Sequence, residues 1–150
     1  QAIVTPFHVA SFLHKISYPF ILLYEIELAL RELIKVCVSV DELSRCIEKS
    51  LGDKYNKRKL PTSLEEMVFH DYLTLIEHEE NWMLFLKVFS GSGEFSRNRT
   101  ITRLDEVRKL RNIVFHFKRE LTDKEREQLL DNRDWLLRKA RSFEARATGR

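Results

Sequence analysis

Apolar residues recur along this chain at intervals of three and four for most of its length. Leu22, Leu23, Ile26, Ala29, Leu30, Leu33, Ile34 and Cys37 keep that spacing, with Glu25, Glu27, Arg31, Glu32 and Lys35 in the gaps. The pattern gives one apolar and one charged face, so it predicts a helix from Pro19, which fits a first turn where its missing N–H costs nothing. Ahead of it, Pro6 to Lys15 reads as a short amphipathic helix or lead-in. Asp41 is read as the N-cap of a second helix through Leu51, closed by Gly52. Residues 53–61 read as a basic loop. Ser63-Leu-Glu-Glu66 has the form of a capping box and predicts a short helix. Asp71 and Asn81 are read as caps of two more, the first through His78 and the second from Trp82 to Phe89. Ser90 to Arg99 reads as a flexible loop. Thr100 or Thr102 then opens a strongly helical segment, Leu104 to Lys118. Thr122-Asp-Lys-Glu125 is a second capping box and opens a last helix to Ala145, in which Leu129, Leu136 and Phe143 repeat at seven. No run alternates long enough to be a strand, so the fold class is all-α.

Composition supports a single packed domain over residues 1–150, with 1–17 as a lead-in and 146–150 as a tail. Hydrophobic residues make up 43% and charged residues 33%, which excludes a disordered chain. The chain opens on Gln1 rather than Met, so a fragment of a longer protein is expected. Cys37 and Cys46 form no C-x-x-C pair and read as free buried thiols of a reducing, cytoplasmic compartment. No apolar run reaches the length of a transmembrane helix, and no membrane partner is expected.

Charge is uneven. Residues 1–96 carry 10 Lys and Arg against 14 Asp and Glu, whereas residues 97–150 carry 16 against 9. The basic part contains Arg111-Asn-Ile-Val-Phe-His116. Arginine is a permanent cation whose fork fits phosphate, and histidine exchanges protons near neutral pH. Together they are a minimal set for cutting an RNA backbone without a metal. His116 would move protons, Arg111 would stabilise charge on the phosphorus, and Asn112 would orient the histidine or hold a phosphate oxygen. Arg108 and Lys118 flank them as further RNA contacts. On a regular helix Arg108, Asn112 and His116 share a face, but Arg111 and His116 stand roughly 140° apart. One helix therefore makes a poor site, and two facing copies make a better one. His70 and His78 with their acidic neighbours match no metal-ligand spacing, so neither metal nor cofactor is expected.

The run Val107-Arg-Lys-Leu-Arg111-Asn112-Ile-Val-Phe-His116-Phe117 resembles the signature of the HEPN superfamily: an arginine, often a polar residue after it, then a histidine after four to six positions. A narrower likeness, to HEPN domains that follow a pair of CBS domains in bacterial proteins, rests on four places. These are Pro19-Phe-Ile-Leu-Leu-Tyr-Glu-Ile-Glu27 with Arg31, Leu64-Glu-Glu-Met67, Asp71-Tyr72 and Asn81-Trp82. The resemblance implies a bundle of about five to seven helices that dimerises with paired Arg and His at the interface. It implies a metal-independent endoribonuclease acting on single-stranded RNA, with Arg111, His116 and Asn112 as its site. Its alternative is a non-catalytic module that binds RNA or a nucleotide and couples to an attached CBS-type sensor domain. One toxin branch of the superfamily has tyrosine two residues after the histidine. Lys118 stands there in this chain, which points away from that branch.

Overall fold

The computed structural model describes residues 3–56, 59–89 and 94–149. Among them are six α-helices and no strand: α1 (Pro6–Cys37), α2 (Val40–Leu51), α3 (Phe69–Glu77), α4 (Glu79–Phe89), α5 (Glu94–Phe115) and α6 (Asp123–Ala147). A single tight turn of helix, Leu64–Glu66, precedes α3. The bundle is all-α, as the three-and-four spacing requires.

Several boundaries differ from those read in the sequence. The lead-in and the Pro19 helix are one helix of 32 residues. Its start is set by Thr5, whose hydroxyl accepts from the His8 N–H while the His8 ring meets the Thr5 N–H, and Pro6 takes the first helical position. Pro19 lies inside the helix and is buried. Ser39, not Asp41, caps α2, with Glu42 closing a capping box. Asn81 is not a cap. It lies within α4, buried, and donates to the carbonyls of Cys46 and Leu75. Of the loop expected at 90–99, residues 94–99 are already helix, and 90–93 lie outside the described residues. Thr100 is therefore buried helix interior rather than a cap. The Thr122–Glu125 box opens α6 as read.

The core is one cluster. The face of α1 from Leu22 to Cys37 meets Phe85, Val88 and Phe89 of α4, Leu104, Val107 and Leu110 of α5, and Leu129 and Leu136 of α6. The pair α1 and α6 is the most extensive. They run parallel: Lys15 meets Glu120 just before α6 at 3.2 Å, and Glu25 meets Arg133 at 2.6 Å. Helix α5 runs the opposite way. Phe115 near its end packs on Phe20, while Arg103 reaches Asn132 and Asp131. The molecule therefore has two ends. One gathers the first half of α1, the close of α5 and the start of α6. The other gathers the start of α5 and the close of α6.

Candidate functional site

Helix α5 stops just before the histidine of the motif. Its last residue is Phe115, three residues short of the end read from the sequence. His116 still donates its N–H to Asn112, and then the backbone reverses. Phe117 adopts φ 50°, its N–H returns to the Val114 carbonyl at 3.2 Å, and the Lys118 N–H returns to Ile113 at 3.1 Å. Paired bonds of that kind close a helix around a left-handed residue, a place where glycine is usual. A phenylalanine there is strained by about 1 kcal/mol or more. His116 consequently sits at the hinge of a fixed turn, exposed, with Lys118 exposed beyond it.

Arg111 lies one and a half turns back. Its guanidinium carbon stands 4.4 Å over the Phe115 ring, and its buried Nε has no hydrogen-bond partner. Of the six arginines from 103 to 133, five hold a carboxylate: Arg103, Arg108, Arg119, Arg126 and Arg133. Arg111 is the exception among the described residues. Arg108, read as an RNA contact, is engaged with Asp105 at 2.7 Å, and the same carboxylate holds Lys109. Those two cations keep the Asp105 carboxyl below its usual range, Lys109 contributing most. Asn112 is half-buried and spends its carbonyl on the His116 N–H. No hydrogen bond joins the side chains of Arg111, Asn112 and His116 to one another among the described residues. The structure brings the motif to one end of the bundle without assembling it.

Around this turn lies a feature the motif alone does not reveal. Phe20 of α1 packs edge-on against Phe115 at 5.4 Å and lies 6.3 Å from Phe117. Beside them is a cavity of about 300 Å³ lined by Ile16, Pro19, Phe20, Val114 and Leu121 together with Lys15, Arg119 and Arg126. The connector that helps line it is clamped by a two-pronged bond from Arg119 to Glu125, both contacts at 2.8 Å. That guanidinium, followed by the Thr122 N–H, holds the Glu125 carboxyl down at about 2. The clamp is fully present above the ordinary carboxylate range and is lost as pH falls through about 2. The phenylalanines flanking His116 were the available sequence signal for this aromatic wall.

The first half of α1 extends the same surface. Val9, Phe12, Leu13 and Ile16 follow three-and-four spacing that continues to Phe20, yet Phe12 and Leu13 are 57% and 58% exposed. Phe7, Ile3, Val4 and Phe117 are exposed as well. Exposed large apolar side chains are thus concentrated on this half of the helix and at the turn.

The positive charge lies elsewhere. Residues 104–135, which contain the motif, carry eight Lys and Arg and eight Asp and Glu. The whole excess of the basic part falls in residues 97–103 and 136–150, and all of it up to residue 149 lies at the opposite end of α5 from His116.

The residues that carry the narrower likeness form a scaffold. Arg31 donates to the Tyr72 hydroxyl at 2.7 Å and pairs with Glu27, and Tyr72 donates to the Leu64 carbonyl. Asp71, fully buried, accepts from Lys54 at 2.6 Å, Tyr55 at 2.7 Å and the Val68 N–H at 3.1 Å. These bonds tie the long connection between α2 and α3 to the core. Burial raises both free thiols, Cys37 to about 11, which removes them as nucleophiles. Among the described residues no three His, Cys, Asp or Glu side chains gather as a metal would need, and no helix is long and apolar enough to cross a membrane. Comparison with protein families, with curated proteins and with solved structures finds no match to this chain.

Proposed function

We propose that this chain is a HEPN-type endoribonuclease domain that cuts single-stranded RNA without a metal, at a cleft completed by a second copy. The observation that carries the reading is Arg111. It is the one arginine in its stretch without a carboxylate among the described residues, and it shares the closing turns of α5 with an exposed histidine. A permanent cation kept out of ion pairs is available to an anion. The exposed apolar stripe of α1 adjoins the same turn, and covering it with a second copy would bring two His116 and two Arg111 together.

In the reaction, the ribose 2′-oxygen attacks the adjacent phosphorus, the O2′–P bond forms and the P–O5′ bond breaks. One His116 removes the 2′ proton, and a protonated His116 from the other copy supplies a proton to the departing 5′-oxygen. Arg111 stabilises the charge that accumulates on the phosphoryl oxygens, and Asn112 holds a phosphate oxygen or orients the ring.

The test is cleavage of a mixed RNA pool by purified protein in EDTA. His116→Ala is expected to lower the rate by about 10²–10⁴ and Arg111→Ala by a similar or larger factor. Arg111→Lys should recover only part, and 2′-deoxy substitution at the cut site should block the reaction. Cleavage that survives in the Arg111→Ala, His116→Ala double variant removes the motif from the mechanism.

A second reading is favoured by one observation, the guanidinium of Arg111 resting on the Phe115 ring. A cation held there binds phosphate without being poised for transfer. The domain would then be a non-catalytic module that binds RNA or a nucleotide and reports to an attached sensor domain. RNA left intact but bound in an Arg111-dependent way would decide for it.

A further inference from the structure

The end of the molecule far from His116 carries a cluster of cations that the proposed cleavage does not use. Helices α5 and α6 are antiparallel, and their register is fixed by Arg103, which reaches Asn132 at 3.0 Å and lies 4.7 Å over the Trp135 ring. One turn further along each helix stand Arg99 on α5 and Lys139 on α6, with Arg146 two turns beyond Lys139 on the same stripe. Arg138 and Arg141 are exposed beside them. Among the described residues none of these five cations has a carboxylate within ion-pair distance, although Glu144 is close in sequence. Lys139 is half-buried, and its ammonium is pushed below the usual lysine range by burial and then by the fields of Arg146 and Arg99. Like charges held together without a counter-charge cost stability, so the arrangement favours an occupant that carries several negative charges.

We infer that the Arg99–Lys139–Arg146 surface is a binding site for the phosphate backbone of RNA, separate from the Arg111–His116 end. The class of anion follows from the layout: several cations spread along a helix seam suit a chain of phosphates better than a single ion. That the chain of phosphates is RNA rests on the proposed function. The site is remote. Arg99 and His116 are about 25 Å apart along α5, and residues 104–135 carry as many acidic as basic side chains, so the two ends do not form one positive track. Backbone contacts of this kind hold and orient a strand without reading its bases.

The experiment measures binding of a fluorescein-labelled oligouridine of about 20 nucleotides by anisotropy, from about 50 to about 200 mM salt. The expected result for Arg99→Ala, Lys139→Ala, Arg146→Ala is weaker binding, with the salt slope lowered by about 2, since each lost phosphate contact on a single strand removes about 0.7. Arg99→Gln alone, at an exposed position, should lower it by about 0.7, and a Lys139→Arg variant should keep wild-type behaviour. A triple variant with unchanged affinity and slope overturns the site. So does a wild-type chain that ignores the oligonucleotide, or one that prefers phosphatidylserine vesicles to it. The two proposals fail separately. Cluster-dependent binding without cleavage breaks the catalytic reading alone, and Arg111-dependent cleavage with cluster-independent binding breaks this one alone.

Discussion

The two halves of α1 are built from the same kinds of residue and meet opposite environments. From Leu22 to Cys37 the helix buries a continuous apolar face against three other helices. From Phe7 to Ile16 it presents Val9, Phe12, Leu13 and Ile16 at the same spacing with little to pack on. Periodicity therefore tells that a helix has a face to bury, and it does not tell what buries it. The buried half is explained by its own chain. The exposed half is not, and its neighbours are the aromatic turn and Phe115 of the motif.

Three changes would sharpen that contrast. The largest effect is expected in the buried half: Leu30, fully enclosed, should cost about 2–5 kcal/mol when changed to Ala, because a cavity remains where the side chain was. Urea unfolding measures it, and a loss below about 1 kcal/mol would mean that the two halves differ less than their burial indicates. In the exposed half, Phe12→Glu with Leu13→Glu should change monomer stability by no more than about 0.5 kcal/mol. The same pair should abolish self-association in sedimentation at micromolar concentration. A wild-type chain that sediments as a monomer would break the link between the stripe and a composite site. The last change is at the turn that packs on Phe20, where the two halves meet. Phe117→Gly relieves a left-handed phenylalanine and should raise stability by about 1 kcal/mol, less whatever the ring contributes by its contact with Phe20. A loss instead would show that the aromatic contact outweighs the strain.

Much of the bundle was legible because its signals are local. The Thr122–Glu125 box and the heptad of Leu129 and Leu136 place α6 from a few residues each. Elsewhere a local signal was overruled by packing. Pro19 has the look of a helix start, but a helix already formed from Thr5 runs through it, and its cap uses a histidine where Glu or Gln is the usual partner. Asn81 has the look of a cap, but two buried carbonyls, one from α2, claim its amide. The close of α5 carries no glycine, so nothing in the sequence announces that Phe117 bends the chain. The candidate site was legible to a similar depth. The residue types and their order are plain, and so is the angle that separates Arg111 from His116. Where the charge lies was not: the excess in residues 97–150 falls in two stretches separated in sequence by the balanced residues 104–135, and only the antiparallel course of α5 and α6 gathers its described part at one end.

Pro19 has a last consequence, which concerns cooperativity rather than shape. It offers no N–H to the carbonyl of Lys15, so the ladder of α1 has a missing rung where its buried half begins. Upstream of that rung is a helix of roughly a dozen residues, a length that is marginal by itself in water. Its amides can open by local fraying, whereas those from Leu22 onward open only when the core does. One continuous helix therefore comprises two units of stability. Amide exchange in the first unit, followed as protein concentration rises, reports directly whether anything has come to cover it.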